Sequence, residues 1–256
     1  MTSFTRATIG VGIAALLLGA VPTLSAAQSA NGSTPPERTT DIAGYMDFHF
    51  NKQELSDGRL DFHRFVLLIS HRFSDRIRFV SELELEHALV ESLEASGELE
   101  LEQAYVDFLL SRRFNIRAGM MLMPIGIINE RHEPPIYYGV ERPFVDTFII
   151  PTTWFDVGVG VHGELGRGWR YRAYIASPLD ALEFSAEEGL ANGRQKGSDT
   201  NIGRPATTGR IEYVGVRGLT AAGSFWTGRS GFRFRPRFDV PVKLGEADVR
   251  YSRDRL

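Results

Sequence analysis

Between Ile77 and Ala88 the chain alternates without a break: Ile77, Phe79, Ser81, Leu83 and Leu85 fall on one side of an extended backbone, and Arg78, Val80, Glu82, Glu84 and Glu86 on the other. Successive side chains of a strand point to opposite faces, so this segment reads as a strand with one apolar and one charged surface. The same period recurs where Phe114, Ile116, Ala118, Met120 and Leu122 oppose Asn115, Arg117, Gly119 and Met121, and where Phe155, Val157, Val159 and Val161 oppose Asp156, Gly158, Gly160 and His162. Followed along the chain, it predicts about ten strands, near residues 42–50, 62–71, 77–87, 99–110, 114–123, 154–163, 169–176, 207–214, 219–227 and 244–251. Two of them break phase. Around Arg64 apolar residues occupy both faces, and near Glu102 to Ala104 the alternation slips, as a β-bulge or a misplaced strand boundary would make it do.

The connections alternate in length. Short turns fall at Arg72 to Arg76, Ser111 to Arg113, Glu164 to Gly168 and Gly215 to Gly218, and long ones at 51–61, 88–98, 124–153, 177–206 and 228–243. Each strand is near the roughly 9–11 residues that a tilted strand needs to cross a bilayer, and tight turns alternating with longer loops are how an outer-membrane barrel is strung. Aromatic residues at strand ends fit two interfacial girdles, with Phe114 and Trp169 beside short turns and Trp154 and Trp226 beside long loops. The expected fold is all-β, an antiparallel transmembrane β-barrel. A secreted β-sandwich shares the alternation, with its apolar face in a core and its charged face in water, and alternation by itself does not separate the two.

At the N-terminus Arg6 precedes an apolar run from Ile9 to Val21, and the small residues Ser25 and Ala27 stand where a signal peptidase would cut. Residues 1–27 are therefore expected to be a cleaved export signal. Residues 28–40, rich in Ser, Thr, Pro and Asn, read as a flexible leader, and residues 41–256 as the barrel domain. Beyond the signal no apolar run approaches the roughly 20 residues of a membrane helix. The chain has no cysteine, a weak indication that is compatible with export. A formal net charge of -3 gives no basic profile for nucleic-acid binding. The cations are nearly all arginine, with lysine only at Lys52, Lys196 and Lys243. A guanidinium keeps its charge when partly desolvated and forks onto carboxylate and phosphate, although a GC-rich genome gives the same bias.

Taken together, GYMDFHF at 44–50, GELELEQAYVDF at 97–108, RAGMMLMPIG at 117–126, ERPFVDTFIIPTTWFDVGVGVHG at 141–163 and EADVRY at 246–251 resemble the phosphate-selective porin O and P family, in order and in spacing. The most specific part is the strand ending in Met123, Pro124, Ile125 and Gly126, then a long loop, then Pro151, Thr152, Thr153, Trp154 and a glycine-rich strand. The resemblance implies a bacterial outer-membrane barrel of sixteen strands, usually a homotrimer, whose third external loop folds inward to narrow the pore while basic residues draw anions through it. That loop corresponds to residues 124–153, and its prolines at 124, 134, 135 and 143 suit a chain that turns back into a lumen.

The chain departs from the family in two respects. It ends at Ser252 to Leu256 without further strands or a terminal aromatic residue, so a C-terminally truncated member is expected, with a closed smaller barrel as the alternative, because sheet edges inside a membrane must be paired. The candidate constriction loop has no lysine and sets Arg131 and Arg142 against Glu130, Glu133, Glu141 and Asp146, which does not support a phosphate trap. The expected pore-lining residues are Arg64, Arg117, Arg170, Arg172 and Arg210 with Glu82 and Glu84, joined on the same faces by Arg78, Asp47, Glu86 and Glu212. Opposed rows of this kind make a transverse field as readily as an anion ladder. Gly158 and Gly160 fall on the lumen face beside the loop and are expected to seat it, with relief of crowding on a curved strand as the equal alternative.

Other constellations carry less. Arg229, Arg233, Arg235 and Arg237, interleaved with Phe232, Phe234 and Phe238, offer a contact for anionic solutes or lipopolysaccharide phosphates, with a solvated loop as the plainer reading. The histidines at 49, 63, 71, 87, 132 and 162 show no metal-ligand spacing, and His132 beside Glu133 reads as a loop ion pair. No serine has nucleophile-elbow spacing, and no enzyme is expected. The expectation is an outer-membrane porin for passive diffusion of small hydrophilic solutes, with a preference for anions. It needs no cofactor, and its partners are the solutes, outer-membrane lipid, lipopolysaccharide and its own copies. The alternatives are a non-conducting structural or adhesive outer-membrane barrel and a secreted β-sandwich that binds carbohydrate.

Overall fold

The computed structural model describes residues 39–52, 54–55, 57–88, 97–139, 141–231 and 239–252. The expected export signal, the leader up to residue 38, the run Arg233, Arg235 and Arg237, and residues 253–256 lie outside the described residues. Ten strands follow one another: β1 Thr40–Asn51, β2 Arg59–Ser74, β3 Ile77–Glu86, β4 Glu98–Phe108, β5 Asn115–Leu122, β6 Phe155–Gly166, β7 Trp169–Ala176, β8 Ala206–Tyr213, β9 Leu219–Ser230 and β10 Val240–Tyr251. They form one antiparallel sheet in strict chain order from β1 to β10. Every strand expected from the alternation is present. β2 and β6 run a few residues further than expected, so their hairpins close more tightly. Between β6 and β7 only Arg167 and Gly168 remain, both at positive φ, the backbone of a two-residue turn whose twist matches the strands it joins.

The chain falls into two compact units, one of the residues up to His71 with Glu82–Leu101, the other of Arg72–Ser81 with Glu102 onward. In the first, β1 and β2 pair with a shift between Asp47 and Phe48. Asp47 faces Arg64 and Phe48 faces Phe62, so His63 is the extra residue of a β-bulge, which accounts for the broken phase around Arg64. In the second unit β4 to β10 pair in sequence. The phase slip in β4 is visible in its burial: Glu102, Tyr105 and Asp107 are all buried, a spacing that regular alternation forbids between the first two.

The sheet buries its charges and exposes its apolar side chains. Asp47, Arg64, Glu82, Glu84, Asp107, Arg210 and Glu212 are buried. On intervening positions Ile42 is 70% exposed, Ile175 54%, Phe225 46% and Val249 69%. Exposed apolar side chains are common on any protein, but here they form the alternate set of successive strands, and the polar set is the one removed from solvent.

The apolar core that does exist lies on the charged side. Met121, Met123, Ile125, Ile150, Trp154, Tyr174, Leu179 and Trp226 cluster there, contributed by strands and by the connections after β5 and β7. The expected girdle is corrected at this end: Trp154 and Trp226 are each 1% exposed, with ring centroids 5.3 Å apart. Phe114 and Trp169, beside short turns, are exposed. Among the described residues no helix is long and apolar enough to cross a membrane, which says nothing of strands.

Candidate functional site

The connection between β5 and β6 is the largest feature on the charged side. It holds short helical turns at Asn129–Arg131 and Pro134–Ile136 and a wider one at Val145–Ile149. Its two ends are joined by the backbone bond from Met123 N to Trp154 O, at 2.9 Å, and by one side chain. Asn129 Nδ2 donates to Met123 O and to Trp154 O, both at 2.8 Å, and its Oδ1 accepts from Trp154 N at 2.7 Å. Asn129 is fully buried, so these bonds satisfy backbone groups that water does not reach. The loop is then fastened across the sheet: Gly126 N donates to Ser224 Oγ of β9 at 3.2 Å, Glu130 pairs with Arg172 of β7 at 3.1 Å, and His132 Nε2 meets Glu102 of β4 at 2.8 Å. These ties hold the loop against the charged face of the sheet.

Beneath the loop is a cavity of about 320 Å³ lined by Tyr105, Arg117, Glu130, Arg131, Arg172, Arg210, Glu212 and Asp248, among others. The structure thus brings together Arg117, Arg172, Arg210 and Arg131, four of the residues singled out from the sequence. Each of the three strand arginines has a carboxylate. Arg117 reaches Asp107 through Nε at 2.8 Å and Nη2 at 3.1 Å, with its guanidinium carbon 3.8 Å from the centroid of the Tyr105 ring. Arg210 forks onto Asp248 at 2.6 and 3.0 Å, with Glu246 at 3.5 Å, and Arg172 has Glu130 and Glu212. Bidentate pairing of this kind fixes the planes of the guanidinium groups.

Asp107 is the hub of the network. Fully buried, it accepts from Arg78 at 2.8 Å, from Arg117, and lies 3.3 Å from His162 Nε2, so that three cationic or protonatable side chains from β3, β5 and β6 converge on one carboxylate of β4. Asp107 was legible as a strand residue, but neither it nor Asp248 stood out as a partner. The signal available was parity, because Asp107 shares a face with Tyr105, and Asp248 with Glu246.

Other expected site residues lie elsewhere. Arg64 pairs with Glu84 at 3.3 Å and Glu86 at 3.5 Å in the first unit, where Glu82 is also fully buried. Arg170 sits at the short-turn end, half exposed beside Glu164. Arg142 braces the loop from within: Nη1 donates to Thr152 O at 2.6 Å, Nη2 to Thr153 Oγ1 and Nε to the Tyr137 hydroxyl. Glu133 likewise serves the loop, its carbonyl accepting from Ile136 N. His132, which directly follows the turn at Asn129–Arg131, pairs with Glu102 of β4.

The nearest neighbours of Gly158 and Gly160 are on β7. A side chain at Gly158 would meet Ile175 O and Ala176 Cα, and one at Gly160 would meet Ala173 O and the Tyr174 ring, all on β7. The register sets Gly160 opposite Tyr174, so the glycine makes room for a cross-strand ring, which itself joins the core under the loop. The second long connection supports the first: Arg194 Nη1 donates to Pro151 O at 3.0 Å and Thr153 O at 2.6 Å.

Asp146 is buried inside the loop with Oδ1 lacking a hydrogen-bond partner among the described residues. Burial pushes its carboxyl above the usual carboxylate range, against the pull of Arg142. A raised native pKa means that protonated Asp146 stabilises the loop below the ordinary carboxyl range, and that this contribution is lost as pH rises through the raised value. Cleavage of the loop by a pH-tolerant protease is therefore expected to speed up from mildly acid to neutral pH, and Asp146→Asn to slow it at neutral pH and flatten that dependence. An unchanged pH profile in the variant would assign the effect to another group.

No family model matches the chain. It is similar to an uncharacterized protein of Aquifex aeolicus (strain VF5), 39% identical over 187 residues that make up 72% of this chain and 43% of that relative, so the chain spans less than half the relative's length.

Proposed function

We propose that the sheet is the wall of an outer-membrane channel through which small hydrophilic solutes diffuse passively, with the loop between β5 and β6 as its constriction. The observation that carries this reading is the reversed burial, with charged side chains enclosed and the alternate apolar set of the strands turned outward. A water-soluble sandwich needs the opposite sense, because exposing rows of apolar side chains forfeits roughly 25 cal/mol per Å² that burial would gain. In lipid the cost vanishes, and a closed barrel is the one sheet form that pairs every backbone group there. The finer form of the reading, taken from the resemblance, is a sixteen-stranded homotrimeric porin in a bacterial outer membrane, in contact with lipopolysaccharide.

Selectivity follows from the pairing. With Arg117, Arg172 and Arg210 each held by carboxylates, the lining offers alternating charge in place of a free cationic ladder, which favours a transverse field and only a weak preference for anions. A non-conducting barrel is the second reading, favoured by the two long connections that pack on the charged side. Liposomes carrying the protein are expected to swell in isotonic solutions of small neutral sugars, at a rate that falls as the sugar grows. Absence of swelling in vesicles that hold folded protein would select the non-conducting barrel.

A further inference from the structure

The order of the histidines in the sequence hides a cluster that strand pairing assembles. Asp61 and His63 on β2 and His87, directly after β3, offer one donor atom each, all within 4.8 Å of one another. The Asp61 carboxylate joins the two rings, with Oδ2 3.3 Å from His63 Nδ1 and Oδ1 3.0 Å from His87 Nδ1.

Two backbone irregularities produce this arrangement. His63 is the extra residue of the β1–β2 bulge, and bulges re-aim side chains next to functional sites. His87 has φ 52°, a left-handed backbone that residues other than glycine seldom adopt, and its N–H donates to His63 O at 3.1 Å. Behind them His49 stacks on His63, ring centroids 4.1 Å apart and planes 13° from parallel, and is itself held by Asp47 at 3.0 Å. Oriented imidazoles with carboxylates behind them are how protein metal sites are supported.

We propose that Asp61, His63 and His87 form a binding site for a divalent transition-metal cation of the zinc, copper and nickel class. Two imidazoles and one carboxylate suit these borderline ions, whereas magnesium and calcium favour all-oxygen shells. Three protein ligands leave coordination positions open, and the side chains are 24–32% exposed, so an ion can enter from solvent. The ion takes the place of the protons now shared between the carboxylate and the ring nitrogens, and fastens the start of the connection after β3 to β2. Metal binding here does not depend on whether the sheet conducts.

The test is calorimetric titration of metal-stripped, detergent-solubilised protein with zinc chloride at neutral pH. A saturable site of one ion per chain is expected, unaffected by excess magnesium or calcium. His63→Ala and His87→Ala are each expected to weaken it by about 100-fold and Asp61→Asn by about tenfold, while His71→Ala, elsewhere on β2, leaves it unchanged. A readout on the unaltered protein guards against misfolded variants: its copper(II) spectrum is expected to show hyperfine coupling to two imidazole nitrogens. The proposal is overturned by absence of saturable zinc binding, by undiminished binding in the folded His63→Ala/His87→Ala variant, or by a copper spectrum without two-nitrogen coupling.

Discussion

Asp107→Asn is expected to lower the unfolding free energy by about 3–5 kcal/mol, the largest effect of any single charge removal in the charged face. The carboxylate is fully buried and answers Arg78, Arg117 and His162 together. Arginine does not shed its proton, so the loss of the partner leaves Arg117, only 16% exposed, as an uncompensated cation. Arg78 is half exposed, and water replaces much of its share. The magnitude belongs to removing one partner and does not measure the net worth of the pair. Removal of both in Asp107→Asn/Arg117→Met is therefore expected to recover part of the loss, and the difference between the double and the summed single effects isolates the coupling. Urea unfolding of detergent-folded protein, followed by tryptophan fluorescence, reads all three variants. A loss below about 1 kcal/mol for Asp107→Asn would mean that solvent already screens the hub.

Asn129→Ala is expected to release the loop between β5 and β6 without unfolding the sheet. Three hydrogen bonds from one buried side chain close its neck; alanine leaves the Trp154 N–H unpaired, at about 1–3 kcal/mol, and takes one of two donors, about 1 kcal/mol each, from Met123 O and Trp154 O, which keep Ile125 N and Met123 N. Some of these groups find water once the loop opens, so about 3 kcal/mol of local stability is the expected loss. Protease cleavage within residues 130–150 should then accelerate roughly 100-fold, at about 1.4 kcal/mol per factor of ten. Asn129→Asp keeps the acceptor for Trp154 N but turns a carboxylate oxygen on two carbonyls, and is expected to be no better than alanine. Cleavage at the original rate in both variants would show that the ties to Ser224, Arg172 and Glu102 hold the loop unaided.

The ten strands were legible because a period of two is a local property: Ile77 to Glu86 declares its faces without reference to any neighbour. The bulge was legible for the same reason, as a break in phase around Arg64. What pairs with what across strands was not local. His63 and His87 lie 24 residues apart in sequence and meet only through the bulge and the left-handed turn at His87, so the absence of metal-ligand spacing said nothing about them.

Position beside a loop was likewise a poor guide to face. Trp226 shares parity with Ser224, which points it to the charged side, whereas its nearness to a long connection had suggested an interface. Arg142 and Asp146 could not be read because a guanidinium among loop carbonyls and a carboxyl buried within a turn leave the same sequence trace as a pore charge. The glycines at 158 and 160 were read correctly as places of close approach, but their occupant is the neighbouring strand β7.

The channel reading is tested most directly by adding the purified protein to a planar bilayer and recording current. Stepwise, ohmic openings are expected and, in a salt gradient, a reversal potential only slightly displaced toward anions, because Arg117, Arg172 and Arg210 are each paired with carboxylates. Bilayers that stay silent while the protein is shown to have inserted, or a strongly cation-selective potential, would contradict it.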